Sequence, residues 1–277
     1  MDNQTKRIPI GVFDSGFGGL TVFREIKALM PEYDYVYFGD NARAPYGDRP
    51  KQTIYEYTLD CVKKLFGYNC PLVILACNTA TSNALPEIQK VDIPKIDPTK
   101  RVLGVIQPTI EALPEFTKNG HIGVLGTPGT CAPHFYENAI DKMFPNYKVV
   151  SQSGDMFVPL VELGEYAGGG ADYFVKKYID LLLAKDPDID TIILGCTHYP
   201  LLYPKIRAYV PAKIQVVAQG KIVAKSLKNY LERHPEMEKR LTKTGTVQYY
   251  TSEASNVFDK LGSIFMGETI NAIRVAD

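Results

Sequence analysis

Apolar residues fall along this chain in short unbroken runs that alternate with longer stretches of helical spacing. The runs at 8–13, 35–40, 73–76, 102–106, 122–125, 192–194, 214–217 and 247–251 read as strands. Their apolar character is continuous, as in strands covered on both faces of a parallel sheet. Between them, apolar positions three and four apart predict helices over 20–30, 53–66, 81–89, 109–116, 132–143, 171–184 and 221–234, with a last one over 257–265. The strand at 192–194 is followed by a helix through Leu201, Leu202 and Ile206. Strand and helix in strict alternation predict an α/β fold with doubly wound, mainly parallel sheets.

The pattern also repeats. Ile10-Gly11-Val12-Phe13 returns as Ile122-Gly123-Val124-Leu125, 112 residues on, and both runs lead into a turn rich in glycine. Val73-Ile74-Leu75-Ala76-Cys77-Asn78-Thr79 returns as Ile192-Ile193-Leu194-Gly195-Cys196-Thr197-His198, 119 residues on. Two matches at similar offsets predict an internal duplication and two pseudo-symmetric domains. The proline-rich breakers at 91–98 and 211–213 set the expected limits. Residues 1–97 with 213–277 form a discontinuous first domain, and residues 98–212 form the second. Ligands of such sheets bind outside the carboxyl ends of the strands, where both cysteines fall, so the active site is expected in the cleft between the domains.

Lysine plus arginine balance aspartate plus glutamate at 31 each, which argues against nucleic acid or an anionic membrane as partner. No apolar run reaches the roughly 20 residues of a membrane span, and residues 1–7 lack the core of an export signal. A cytoplasmic location with reduced thiols is the expectation. The five cysteines, at 61, 70, 77, 131 and 196, show neither a paired framework nor metal-ligand spacing, so no metal site is expected.

The chemistry concentrates at the strand ends. Asp14 closes the first strand as either a helix cap or a functional carboxylate. The turn Ser15-Gly16-Phe17-Gly18-Gly19 serves local geometry or an anion, but it lacks the lysine and the spacing of a nucleotide loop. Glu162 ends an apolar run and reads as a solvated carboxylate at a helix start or as a functional acid. Cys77 and Cys196 stand apart from the other cysteines because hydrogen-bonding residues follow each of them. A covalent cysteine hydrolase built on Cys196 and His198 would leave Cys77 without a role. Two thiols on opposite faces of a small carbon acid explain both, since one takes a proton and the other delivers one. A two-domain solute-binding protein is the reading from another class, and it has no use for paired thiols.

The motifs Asp14-Ser15-Gly16-Phe17-Gly18-Gly19, Pro45-Tyr46-Gly47, Ala76-Cys77-Asn78-Thr79-Ala80 and Gly195-Cys196-Thr197-His198-Tyr199-Pro200-Leu201 closely resemble those of the glutamate racemases, in the aspartate/glutamate racemase family. The resemblance covers essentially the whole chain. It implies interconversion of L- and D-glutamate without a cofactor, supplying D-glutamate for peptidoglycan; racemisation of another acidic amino acid such as aspartate is the alternative. It implies that Cys77 acts on the D-enantiomer and Cys196 on the L-enantiomer. Asp14 and His198 are implied as auxiliary groups beside the first and second thiol, and Glu162 as a further acid. Ser15, Tyr46, Gly47, Asn78, Thr79 and Thr197 are implied to bind substrate, with Thr127 and Thr130 as weaker additions. Members of the family are often homodimers. Two residues depart from the pattern, Gln107 and Gln219. Neither lies in a motif, so only local or interface differences are expected from them.

Overall fold

The computed structural model describes residues 7–275 and forms two lobes, each built on a parallel sheet. The first sheet holds β1 (Ile10–Asp14), β2 (Tyr35–Gly39), β3 (Leu72–Leu75), β4 (Arg101–Gly104), β9 (Val247–Thr251) and β10 (Ala272–Arg274), in the order β10-β9-β2-β1-β3-β4. The second holds β5 (His121–Gly126), β6 (Lys148–Ser153), β7 (Thr191–Gly195) and β8 (Gln215–Val217), in the order β6-β5-β7-β8. The stretch β2-β1-β3-β4 therefore has the same order as β6-β5-β7-β8, which is the duplication seen in the sequence. No helix among the described residues is long and apolar enough to cross a membrane.

Burial follows from the continuous apolar runs. Every residue of β1, β2, β3 and β7 is buried. Side chains alternate across the sheet. Ile10 and Val12 join a core with Leu20, Phe23, Val223 and Leu227 from the helices Leu20–Leu29 and Gly220–Arg233. Phe13 joins a second core with Ile54, Val62 and Leu65 of the helix Lys51–Gly67. The first core continues without interruption into the second lobe, through Ile122, Ile193 and Leu194.

Two strands change sides relative to the sequence expectation. β4, placed in the second domain, hydrogen-bonds in register with β3 of the first sheet. β8, placed in the first, pairs with β7 of the second. The proline-rich stretches at 91–98 and 211–213 each precede a strand within one sheet. The chain crosses between lobes after Gly104 and after Val217. The stretch 91–98 does not lose regular structure either, because wide helical turns run from Ile88–Asp92 into Ile93–Ile96 and Pro94 sits in a first turn, where proline is tolerated. The helix expected over 132–143 begins only at Phe135, after Pro133 and left-handed His134, and a separate short helix, Pro128–Cys131, precedes it.

Candidate active site

Both cysteines stand where the sequence pattern puts them, just past the carboxyl ends of equivalent strands. Cys77 follows β3 and caps the helix Asn78–Asn83, its sulfur accepting the Ala80 N–H at 3.4 Å. Cys196 follows β7. A cavity of ≈ 90 Å³ opens between the lobes with both residues on its wall. From the first lobe Ser15, Gly16, Ala44–Asp48 and Cys77–Thr79 line it; from the second come Thr127, Pro128, Gly154, Asp155, Val158, Pro159, Glu162 and Cys196–His198.

The duplication governs how the lobes meet. The turn after β1 packs on the turn after β7, so tightly that a Cβ on Gly18 would lie 2.3 Å from Thr197 Oγ1 and 2.5 Å from His198 Nδ1. The turn after β5 packs in the corresponding way on the turn after β3. There the Thr79 hydroxyl lies 3.0 Å from that of Thr127 and 3.1 Å from that of Thr130. Gly129 donates its N–H to the Gly47 carbonyl at 2.7 Å, with no room for a side chain between them.

The surroundings of the two thiols differ. Ser15 Oγ lies 3.4 Å from Cys77 Sγ. Burial, then the nearby charge of Asp14, pushes the Cys77 thiol up to about 12, so it keeps its proton near neutrality. Asp14 is itself raised by burial, against the His198 charge and the N–H groups of Gly19 and Gly16. Those N–H groups are thereby turned inward, and the glycine turn is not an open anion cradle. At Cys196, His198 Nδ1 lies 3.9 Å from Sγ, and Nε2 lies 3.1 Å from Glu162 Oε1. Burial opposes a charge on His198, but Cys196 and Glu162 outweigh it and raise the imidazole from 6.5 to about 10. Glu162 ends the helix Phe157–Glu162, so the reading of a helix-start carboxylate is corrected.

A raised histidine adds stability that is complete below its free value and is lost as pH climbs through its folded value. The advantage of the native protein over His198→Asn is therefore expected to be largest below about pH 6.5 and to shrink toward pH 10. Urea midpoints of both proteins at three pH values measure it. An advantage that grows with pH would remove the imidazolium from the resting site.

Most residues singled out from the sequence converge here, with different placements. Ser15, Gly47, Asn78, Thr79, Thr127, Glu162, Thr197 and His198 reach the cavity wall. Tyr46 also lines it, but its hydroxyl donates to Asp40, which is held as well by Arg43 Nε at 2.6 Å and Ser252 Oγ at 2.9 Å. Asp14 and Thr130 lie behind the wall; Asp14 Oδ1 is 3.5 Å from Thr197 Oγ1. Sequence reasoning missed Gly154, Asp155, Val158 and Pro159. They follow β6, whose Lys148-Val149-Val150-Ser151-Gln152-Ser153 run is too polar to read as a strand. Gln219 was expected to stay clear of the motifs. Its Oε1 instead accepts from Asn78 Nδ2 at 2.7 Å.

The chain is similar to known proteins along nearly its whole length. The Asp/Glu/Hydantoin racemase family model matches residues 11–227. A glutamate racemase of Sulfurihydrogenibium sp. is 38% identical over 263 residues, covering 94% of this chain and 95% of that protein. Among solved structures, a glutamate racemase of Bacillus anthracis superposes with a TM-score of 0.87 at 31% identity, covering 98% of both chains. That of Francisella tularensis, solved with D-glutamate, gives 0.86 at 29% identity over 98% of both chains.

Proposed function

The chain belongs to the aspartate/glutamate racemase family, and from that membership we propose that it interconverts L- and D-glutamate by proton transfer between Cys77 and Cys196. The observation that carries the reading is the pair of sulfurs on the wall of one small cavity, delivered by equivalent strand ends of opposite lobes. The near-symmetry of the duplicated lobes offers the α-carbon one thiol from each side, and inversion needs that.

The two thiols have unequal surroundings. Cys77 holds its proton. Cys196 Sγ lies 3.9 Å from Nδ1 of His198, whose imidazole is raised to about 10. From L-glutamate, Cys196 takes the α-proton and Cys77 gives its own to the opposite face. The product is D-glutamate, with the acid and base roles of the thiols exchanged. For the reverse reaction Cys77 is the base, and its proton must first leave past Asp14 and Ser15. The hydroxyls of Ser15, Thr79, Thr127 and Thr197 and the Asn78 amide are suited to hold the substrate carboxylates. They also oppose the charge that builds as the α-proton departs. The chain's own groups take and give the proton, so the scheme calls for no cofactor. D-Glutamate made this way would enter peptidoglycan synthesis.

Incubation in D2O tests the reading. Each enantiomer of glutamate is expected to lose its α-proton to solvent as it inverts, seen by proton NMR together with optical rotation. Aspartate, one methylene shorter, is expected to react roughly 10–200-fold more slowly. Faster exchange of aspartate would reassign the substrate, and no exchange with either amino acid would end the racemase reading.

A further inference from the structure

The side chain of Gln219 is buried at the meeting point of the two passages between the lobes. It follows β8 on the returning passage and is only 3% exposed. Its Nε2 donates to Thr109 Oγ1 at 2.9 Å and lies 3.4 Å from the Val105 carbonyl; both acceptors belong to the outgoing passage. The same nitrogen donates to the Tyr136 hydroxyl of the second lobe at 3.0 Å. Oε1 accepts from Asn78 Nδ2, and Tyr136 in turn donates to Asn78 Oδ1 at 2.7 Å.

The Thr109 hydroxyl gives its hydrogen to the Val105 carbonyl at 2.8 Å, which turns the Gln219 nitrogen toward Thr109 and sets the direction of the ring. The tyrosine hydrogen is given to Asn78, so its oxygen faces Gln219. The Gln219 amide must then present its nitrogen to Tyr136 and Thr109 and its oxygen to Asn78. A buried network satisfied at every member is rigid and intolerant of a lost partner. Asn78 is the residue next to Cys77 and starts the helix whose Ala80 N–H donates to that sulfur.

We infer that Gln219 is a positioning residue for Cys77, fixing the Asn78 amide and the end of β3 to the junction where the two lobes are joined. The inference rests on the reading of Cys77 and Cys196 as the two bases. It gives the lobe junction a hydrogen-bonded route to the Cys77 side, whereas the Cys196 side meets the ring by the packing of Tyr136 beside Gly195. Cys196 is set instead by His198, which Glu162 holds by a hydrogen bond, and by the turn at Gly18.

The asymmetry supplies the test. Q219E keeps the acceptor for Asn78 but loses the donors to Thr109 and Tyr136. With L-glutamate in D2O, racemisation by this variant is expected to fall about 10–100-fold, the usual scale for a misplaced reacting group. Exchange of the α-proton, which Cys196 performs from the L side, is expected to fall less, so the ratio of exchange to racemisation rises. With D-glutamate, where Cys77 must act first, both rates fall together. A parallel drop in both rates with L-glutamate, or no drop, overturns the inference, since lost folded protein lowers them equally. Should Q219E not fold, Q219N, which retains a shortened amide, is measured in the same way against the same outcomes. Cys77→Ala measured alongside keeps the two ideas apart. If that variant still racemises, the two-base reading falls. If it does not racemise while Q219E keeps the native ratio, only the role of Gln219 falls.

Discussion

Cys77→Ala and Cys196→Ala are each expected to lower glutamate racemisation by roughly 10²–10⁴-fold, the usual contribution of a general acid or base. Inversion needs both thiols, so either loss stops it. Residues that act as a unit are strongly non-additive, and the double variant is expected to be little worse than either single one. The single variants should differ in what survives. Cys77→Ala retains the Cys196 side, with its imidazolium and Glu162, and should still exchange the α-proton of L-glutamate without inverting it. Cys196→Ala leaves a thiol that burial and Asp14 hold protonated, and should exchange little with either enantiomer at neutral pH. Optical rotation and NMR exchange on the three variants check this. Racemisation within a few-fold of native in either single variant would refute the two-base scheme.

Gly18→Ala is expected to be nearly as damaging, although it removes no reacting group. The added methyl would lie 2.3 Å from Thr197 Oγ1 and 2.5 Å from His198 Nδ1, well inside any contact distance. The turn after β1 has to give way, or His198 and Thr197 do, and a shift near 1 Å at a reacting group is worth about 100-fold. His198 has little freedom to move, because the Phe265 ring stands edge-on to it at 5.6 Å and Glu162 holds its far nitrogen. The loss should appear mainly in kcat, with a smaller change in the urea midpoint. Gly67→Ala is the control, since its added methyl meets nothing within 4 Å. It should leave activity unchanged. A Gly18→Ala protein with near-native kcat would mean that the two turns are not held as closely as the geometry requires.

The parts of the fold legible in the sequence were those whose burial is complete. β1, β2, β3 and β7 are covered on both faces, so their apolar runs are unbroken and their ends are clear. The cysteine pair was readable for the same reason, since each follows such a run. β6 and β10 are edge strands in which no residue is fully buried, so neither carries an unbroken apolar run. The lobe boundary was misplaced because prolines report local backbone and not sheet membership, which depends on pairing across the fold. Gln219 was legible only as a departure from pattern. What it touches depends on bringing residues 78, 109, 136 and 219 to one point, and no local signal encodes that.

The order of the first sheet has a consequence for synthesis. Its first four strands leave the ribosome early, but β9, which covers the outer edge of β2, lies beyond the whole second lobe. Until Val247–Thr251 emerge, β2 presents an unpaired edge with Tyr35 and Tyr37, a template for pairing with another chain. Meanwhile all four strands of the second lobe are already made, so that lobe can close first. Nascent chains halted before residue 247 should therefore be the aggregation-prone ones, and a chaperone that shields strand edges would act during that interval.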